Sequence, residues 1–203
     1  MKVINVLAIF ILGFVNVNAQ SGSVLIGGKN RSFHIESDME ASSCTITLTD
    51  AVCFDSIAWQ KLQKQLQFED TTTDRVFRCP GRQEAYSMNY IAHLPPREGM
   101  SIVILDVLRH KYPQARKVIG DKKLIVVIAE DMDGILYYLN ISCLNAKTSE
   151  MIKGCMVDII RVLNTVYRFE KPSKYGMYEP VQFSFPIWPK DWDYLISKPN
   201  KNK

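Results

Sequence analysis

The sequence predicts an α+β fold, and three patterns predict it. β-branched and apolar residues alternate with a period of two at Cys44–Thr49 and over Leu136–Ile141, and Lys123–Ile128 is a run of strong β formers. Apolar residues recur at three and four positions from Ile152 to Tyr167, the period of one helix face. Val181, Phe183 and Phe185 then alternate with Gln182 and Ser184 beyond a proline break at Pro172. The expected architecture is a C-terminal module ordered short helix, strand, strand, long helix, strand. It forms an antiparallel sheet with the helix packed on one face, preceded by a mixed α/β N-terminal region.

The chain opens with Met1-Lys2, an apolar stretch from Val6 to Val15, and Val17-Asn18-Ala19. Small or apolar residues three and one before a break suit signal-peptidase cleavage after Ala19. Residues 1–19 therefore read as a signal peptide, with an apolar stretch too short to span a bilayer as a helix. The mature protein is expected to begin at Gln20 and to be exported. A signal of this style with glutamine in the first mature position resembles exported proteins of Bacteroidetes-type bacteria, and insect secreted proteins share it.

Residues 20–94 read as the mixed α/β region, of no recognisable family. Ser23–Ile26 and Ser32–Ile35 suggest short strands, and Cys44–Thr49 suggests a stronger one. Asp55 can cap a helix running to about Phe68, with Phe54 and Trp59 at the spacing of a hydrophobic staple. Arg75–Cys79 and Tyr86–Ala92 offer further strands. The cluster Leu94-Pro95-Pro96-Arg97-Glu98-Gly99 punctuates the chain and is the expected boundary.

Beyond that boundary, Met100–Lys111 suits either a strand, through Ile102-Val103-Ile104-Leu105, or a helix stopped by Pro113. Pro113 fits the first turn of a short helix, where its missing N–H costs nothing. The hairpin follows: an apolar strand, the turn Asp131-Met132-Asp133-Gly134 with a glycine free to take positive φ, and a returning strand. Thr148 can cap a helix over 149–168. Its apolar stripe is Ile152, Cys155, Met156, Ile159, Leu163, Val166 and Tyr167, and Lys153, Asp158, Arg161, Asn164 and Arg168 lie opposite. The final strand arrives after a helix, at an edge or beside the hairpin, and Pro186 closes it. An edge strand has free N–H and C=O groups that can accept a strand from another chain, including a second copy as a homodimer. Residues 189–203 form a polar tail rich in lysine.

Composition narrows the function. The 203 residues are 47% apolar and 23% charged with a net charge of +4, ordinary for a globular protein. There is no basic block or aromatic-interleaved basic stripe, so nucleic acid is not an expected partner. The three histidines, His34, His93 and His110, are scattered, and no nucleophile elbow or glycine-rich phosphate loop occurs. The sequence points away from an enzyme, and no cofactor or metal is expected. Five cysteines follow neither a tight framework nor a zinc pattern. In an oxidising compartment Cys143 could pair with Cys155 and Cys44 with Cys53, or the thiols could stay free in the core.

Taken in order, Tyr112-Pro113, the turn Asp131–Gly134, the 149–168 helix, the exit Tyr167-Arg168-Phe169-Glu170-Lys171-Pro172 and the closing Pro186-Ile187 resemble the C-terminal domain of TonB-family energy transducers. Pro96-Arg97-Glu98-Gly99-Met100 is similar to the segment that opens the domain in secreted members. The resemblance covers about residues 97–188. It implies that an extended segment, the TonB box of an outer-membrane receptor or a strand of another periplasmic protein, adds beside the final strand. The implied contacts are the main chain of Val181, Gln182, Phe183, Ser184 and Phe185, with Tyr112 and Pro113 positioning the preceding helix and Arg168 as a polar contact. A transducer also needs an uncleaved anchor and a proline-rich periplasmic spacer, which this sequence is not expected to supply. Partner binding in the periplasm, in a transmembrane-transport context, is therefore the expected part of the function. The alternative is a eukaryotic secreted protein that holds a lipid or other small ligand in an α+β cavity. Its motives are the apolar strands, the nine tyrosines and nine phenylalanines, and the sequons Asn30-Arg31-Ser32 and Asn140-Ile141-Ser142.

Overall fold

Among the described residues six strands lie in one antiparallel sheet. The computed structural model describes residues 19–38, 42–54, 56–57, 60, 95–142, 145–175, 180 and 182–197. The strands are β1 (Gln20–Ile26), β2 (Lys29–Asp38), β3 (Ser43–Leu48), β4 (Leu124–Glu130), β5 (Leu136–Ser142) and β6 (Gln182–Ile187). The helices are α1 (Arg97–Lys111), α2 (Ala115–Ile119), α3 (Ala146–Lys153), α4 (Met156–Val166) and α5 (Pro189–Ser197), with a 3-10 turn at Pro172–Tyr175. The fold is α+β. The expected signal peptide, most of the helix from Asp55, and the strands expected at 75–79 and 86–92 fall outside the described residues.

The strand order is β1-β2-β3-β5-β4-β6. The division expected near residues 94–97 does not divide the sheet. β3, from before it, pairs along β5, from after it, with Cys44 opposite Ile141 and Ile46 opposite Leu139. One core likewise joins Val24, Ile35 and Ile46 to Ile128, Ile160, Phe185 and Trp192. The physical reason lies in β5. Without β3, the strand carrying fully buried Leu139 and Ile141 would present an unpaired, apolar edge to water.

Met100–Lys111 is helical. Met100, Ile104, Leu105 and Leu108 are fully buried at helical spacing, and tertiary burial decides between the two local readings. The helix expected over 149–168 is two helices. Asn145, not Thr148, caps the first: its side-chain oxygen accepts from the Thr148 N–H. The chain breaks at Gly154-Cys155, where the Cys155 N–H donates to Ile152 instead of continuing the ladder. A side chain at Gly154 would stand 2.5 Å from the Tyr112 hydroxyl oxygen, so the absence of one is what lets Tyr112 seat there. After the break the buried face of α4 is Met156, Ile159, Ile160 and Leu163. Ile160 joins the stripe, and Val166, expected in it, is 55% exposed in the last turn.

The β4–β5 hairpin has the expected turn, with Gly134 at φ 77°. Its pairing slips at Ala129/Glu130, so that Tyr138 lies opposite Ala129 and Leu136 opposite Glu130. The slip skips Tyr137, and beside it Asn164 of α4 bonds the main chain of Leu136. Its side-chain oxygen accepts from the Leu136 N–H at 2.9 Å, and its amide donates to the Leu136 carbonyl at 3.1 Å.

Bonding direction can be followed across the sheet, because successive residues of a strand aim their N–H and C=O groups to opposite sides. Pro186, opposite Ile125, has no N–H to give to β4. In an edge strand such a residue faces outward, so Gln182, Ser184 and Pro186 point away from the sheet and Phe183, Phe185 and Ile187 bond to β4. Carried through the strand registers from β6 to β1, this alternation makes Ile26–Lys29 a hydrogen-bonded pair of the β1–β2 hairpin. Gly27 and Gly28, at φ 57° and 78°, form the two-residue turn with both central residues left-handed that such a pair closes. The Thr49 N–H donating to the Ser32 carbonyl agrees with the same alternation midway.

Candidate functional site

Among the described residues β6 is an edge strand, bonded on one side to β4. Phe185 and Ile187 are buried in the core and Phe183 is half-buried. Gln182 and Ser184 are exposed on the opposite face. The free edge therefore offers N–H donors at Gln182 and Ser184 and carbonyl acceptors at Gln182, Ser184 and Pro186. It offers no donor at Pro186. Val181 lies outside the described residues. An extended segment laid along this edge would meet a polar row on one face and the margin of Phe183 on the other.

The residues expected to serve this strand are not all gathered at it. Tyr112 ends α1, its N–H donating to the Leu108 carbonyl, and its hydroxyl lies over Gly154 at the α3–α4 junction. Pro113 is exposed in the turn that follows. Tyr112 thus braces the helix junction. Arg168 is exposed in the segment leaving α4. That segment crosses the β4–β5 turn: the Phe169 carbonyl lies against Gly134, and Lys171 pairs with Asp133 at 3.0 Å. Gln182 pairs with Ala129, next to that turn, so Arg168 and the start of β6 stand at the same end of the sheet.

The turn end gathers several perturbed groups. Asp131 is fully buried. One carboxylate oxygen accepts from the N–H groups of Asp133 and Ile135, both at 2.9 Å, and the other from the Val52 N–H at 3.4 Å. Burial nevertheless holds its pKa above the ordinary carboxylate value, the backbone donors only partly offsetting it. Asp133, exposed two residues on, is held below that value by the hydrogen bond from Lys171. Burial, with Cys53 beside it, pushes the Tyr137 hydroxyl up to about 12. The sequence showed these aspartates as turn formers. Their burial depends on the Val52 segment, which packs on the turn from 79 residues away in the chain.

At the other end of β6, Trp188 is 45% exposed, with the Lys123 ammonium 5.1 Å from its ring centroid. Its N–H donates to Asp191, which closes the first turn of α5. A surface groove of about 710 Å³ lies near the start of α3, lined by Gln114, Lys117, Val118, Asn145 and Lys147.

The thiols of Cys44 and Cys155 belong to the core. Cys44 donates to the Ser149 carbonyl at 3.2 Å. Cys155, expected to pair with Cys143, is a buried free thiol whose pKa burial pushes to about 11, and Cys143 lies outside the described residues. Cys53, expected opposite Cys44, is a free exposed thiol. Cys44 lies fully buried, and no disulfide joins the two. Among the described residues no group of three or more His, Cys, Asp or Glu comes together that could hold a metal ion. Among them, too, no helix is long and apolar enough to cross a membrane.

No protein-family model matches the chain. No curated protein matches it. Among solved structures it is similar to the crystal structure of a DUF5043 family protein from Bacteroides uniformis ATCC 8492, at a TM-score of 0.39 and 11% identity, over 84% of this chain and 86% of that one.

Proposed function

We propose that this chain is an exported periplasmic binding protein that captures an extended partner segment along the outer edge of β6. The observation that carries the reading is the position of β6 at the end of the sheet, with Gln182 and Ser184 turning their main-chain groups outward. The partner is a TonB-box-like strand of an outer-membrane receptor or of another periplasmic protein, following the TonB-like order of motifs from Tyr112 to Ile187. Main-chain bonds to Gln182 and Ser184 hold the segment, and the exposed side chains of the same residues, with Arg168 at the near end, select it. Residues 1–19 direct export and are removed after Ala19. Capture of a segment, not energy transduction, is the function proposed.

The test follows from the bonding direction. The Phe183 N–H faces β4, so a proline there would damage the sheet itself, whereas the Ser184 N–H faces outward. Ser184→Pro is expected to keep the wild-type melting temperature and to abolish binding of a TonB-box peptide measured by calorimetric titration. An absence of binding by the wild type, or equal binding by Ser184→Pro, overturns strand capture at this edge. A secreted product whose N-terminus is not Gln20 overturns the cleavage reading.

A further inference from the structure

We infer that β1, at the opposite edge of the sheet, is a self-association edge. A second copy of this chain lays its own β1 alongside, antiparallel, about a two-fold axis through Ser23. Natural edge strands are blunted by charge, proline, a bulge or extreme shortness. β1 is seven residues long, Gln-Ser-Gly-Ser-Val-Leu-Ile, and carries no charged side chain and no proline. It pairs with β2 without interruption from Gln20–Ile35 to Ile26–Lys29. Among the described residues no strand lies on its other side. Gln20 to Ser23 are exposed, and Leu25 is 60% exposed.

The bonding alternation says which groups are free. Gln20, Gly22, Val24 and Ile26 bond to β2. Ser21, Ser23 and Leu25 therefore turn both N–H and C=O outward, and none of them is a proline. An antiparallel copy centred on Ser23 places Ser23 opposite its own counterpart, Ser21 opposite Leu25, and Leu25 opposite Ser21. Each of these pairs exchanges both of its main-chain hydrogen bonds. The full strand is thus satisfied by its own sequence, and the two-fold axis keeps both cores on one side of a continuous sheet. The strand has no charged side chain, and pairing about Ser23 sets the two Gln20 ends at opposite ends of the junction, so self-pairing brings no like charges together. β6 is less suited to the same role, since Pro186 removes a donor from its edge.

The experiment is sedimentation velocity on the purified chain across the micromolar range. A mass twice that of the chain is expected. Ser23→Pro removes an outward N–H without touching the β1–β2 ladder, and is expected to give the monomer with an unchanged melting temperature. Ser23→Lys and Ser23→Glu are each expected to be monomeric and to regain the doubled mass when mixed, because position 23 faces its own copy. A wild type that stays monomeric overturns the inference. So does a dimer that survives Ser23→Pro, or a ladder of larger species abolished by Ser184→Pro, which would mean head-to-tail pairing of β1 with β6.

Discussion

Asp131 and Asp133 stand in one turn and are driven in opposite directions. Burial raises the pKa of the first, and the Lys171 hydrogen bond lowers that of the second. The consequences for stability have opposite sign. A raised carboxyl stabilises the fold below its unfolded value, 3.8, and that contribution is lost as pH rises through the folded pKa. A depressed carboxyl stabilises above 3.8, and that contribution is lost as pH falls through its folded pKa. Asp131→Asn stays neutral, so its stability relative to wild type is expected to rise with pH from below 3.8 and level off above the folded pKa. Asp133→Asn is expected to show the reverse, its deficit present at neutral pH and vanishing in acid. Urea midpoints across an acid-to-neutral series check both. Asp131→Ala strands the Asp133 and Ile135 N–H groups and is expected to cost about 1–3 kcal/mol for each donor left unsatisfied, well beyond the effect of Asp131→Asn.

Elements show where local pattern sufficed and where it did not. The β4–β5 hairpin and β6 were legible because a run of strong β formers, period-two alternation in β5 and β6 and a D-x-D-G turn specify them within a few residues. The candidate edge was legible too, since a strand that follows a helix and ends on proline belongs at a sheet margin. The break between α3 and α4 was not. Periodicity runs almost unbroken from Ile152 to Tyr167, and Gly154 reads as a tolerated glycine until Tyr112 is found lying on it. The role of Asn164 was hidden likewise: it sits on the polar side of the helical pattern, yet it pairs with the main chain of Leu136, beside a slip no sequence pattern announces. The α3–α4 junction offers a direct check. Gly154→Ala forces a methyl group against the Tyr112 hydroxyl and is expected to cost about 1–3 kcal/mol, the usual range for overpacking. Tyr112→Phe removes the oxygen in question, so the double variant is expected to recover most of the loss in a double-mutant cycle by urea denaturation. Additive losses would refute the contact.

At the scale of the whole molecule, the N-terminal strands and the C-terminal module are halves of one sheet. The TonB-like order of motifs occupies residues 97–188, but β5 in that stretch has β3 as its second neighbour. Sequence separation hid this pairing: Ile46 and Leu139 meet across 93 positions, and local pattern carries no information about such contacts. The core repeats the point, since β1 and β2 contribute Val24, Ile26, Phe33 and Ile35, all buried. A chain cut to residues 97–203 would expose the inner sides of Leu139 and Ile141 and leave a long, uncharged-faced edge on β5. That fragment is expected to lose the cooperative thermal transition of the full chain and to associate, with near-ultraviolet circular dichroism and light scattering as the readouts. Adding residues 20–54 in trans is expected to restore order in part, because β3 supplies main-chain partners along Cys44–Thr47 and β1 and β2 return their buried side chains to the same core. A monomeric 97–203 fragment with a sharp melt would show instead that the C-terminal module folds alone and that the shared sheet is an interface between two independent units.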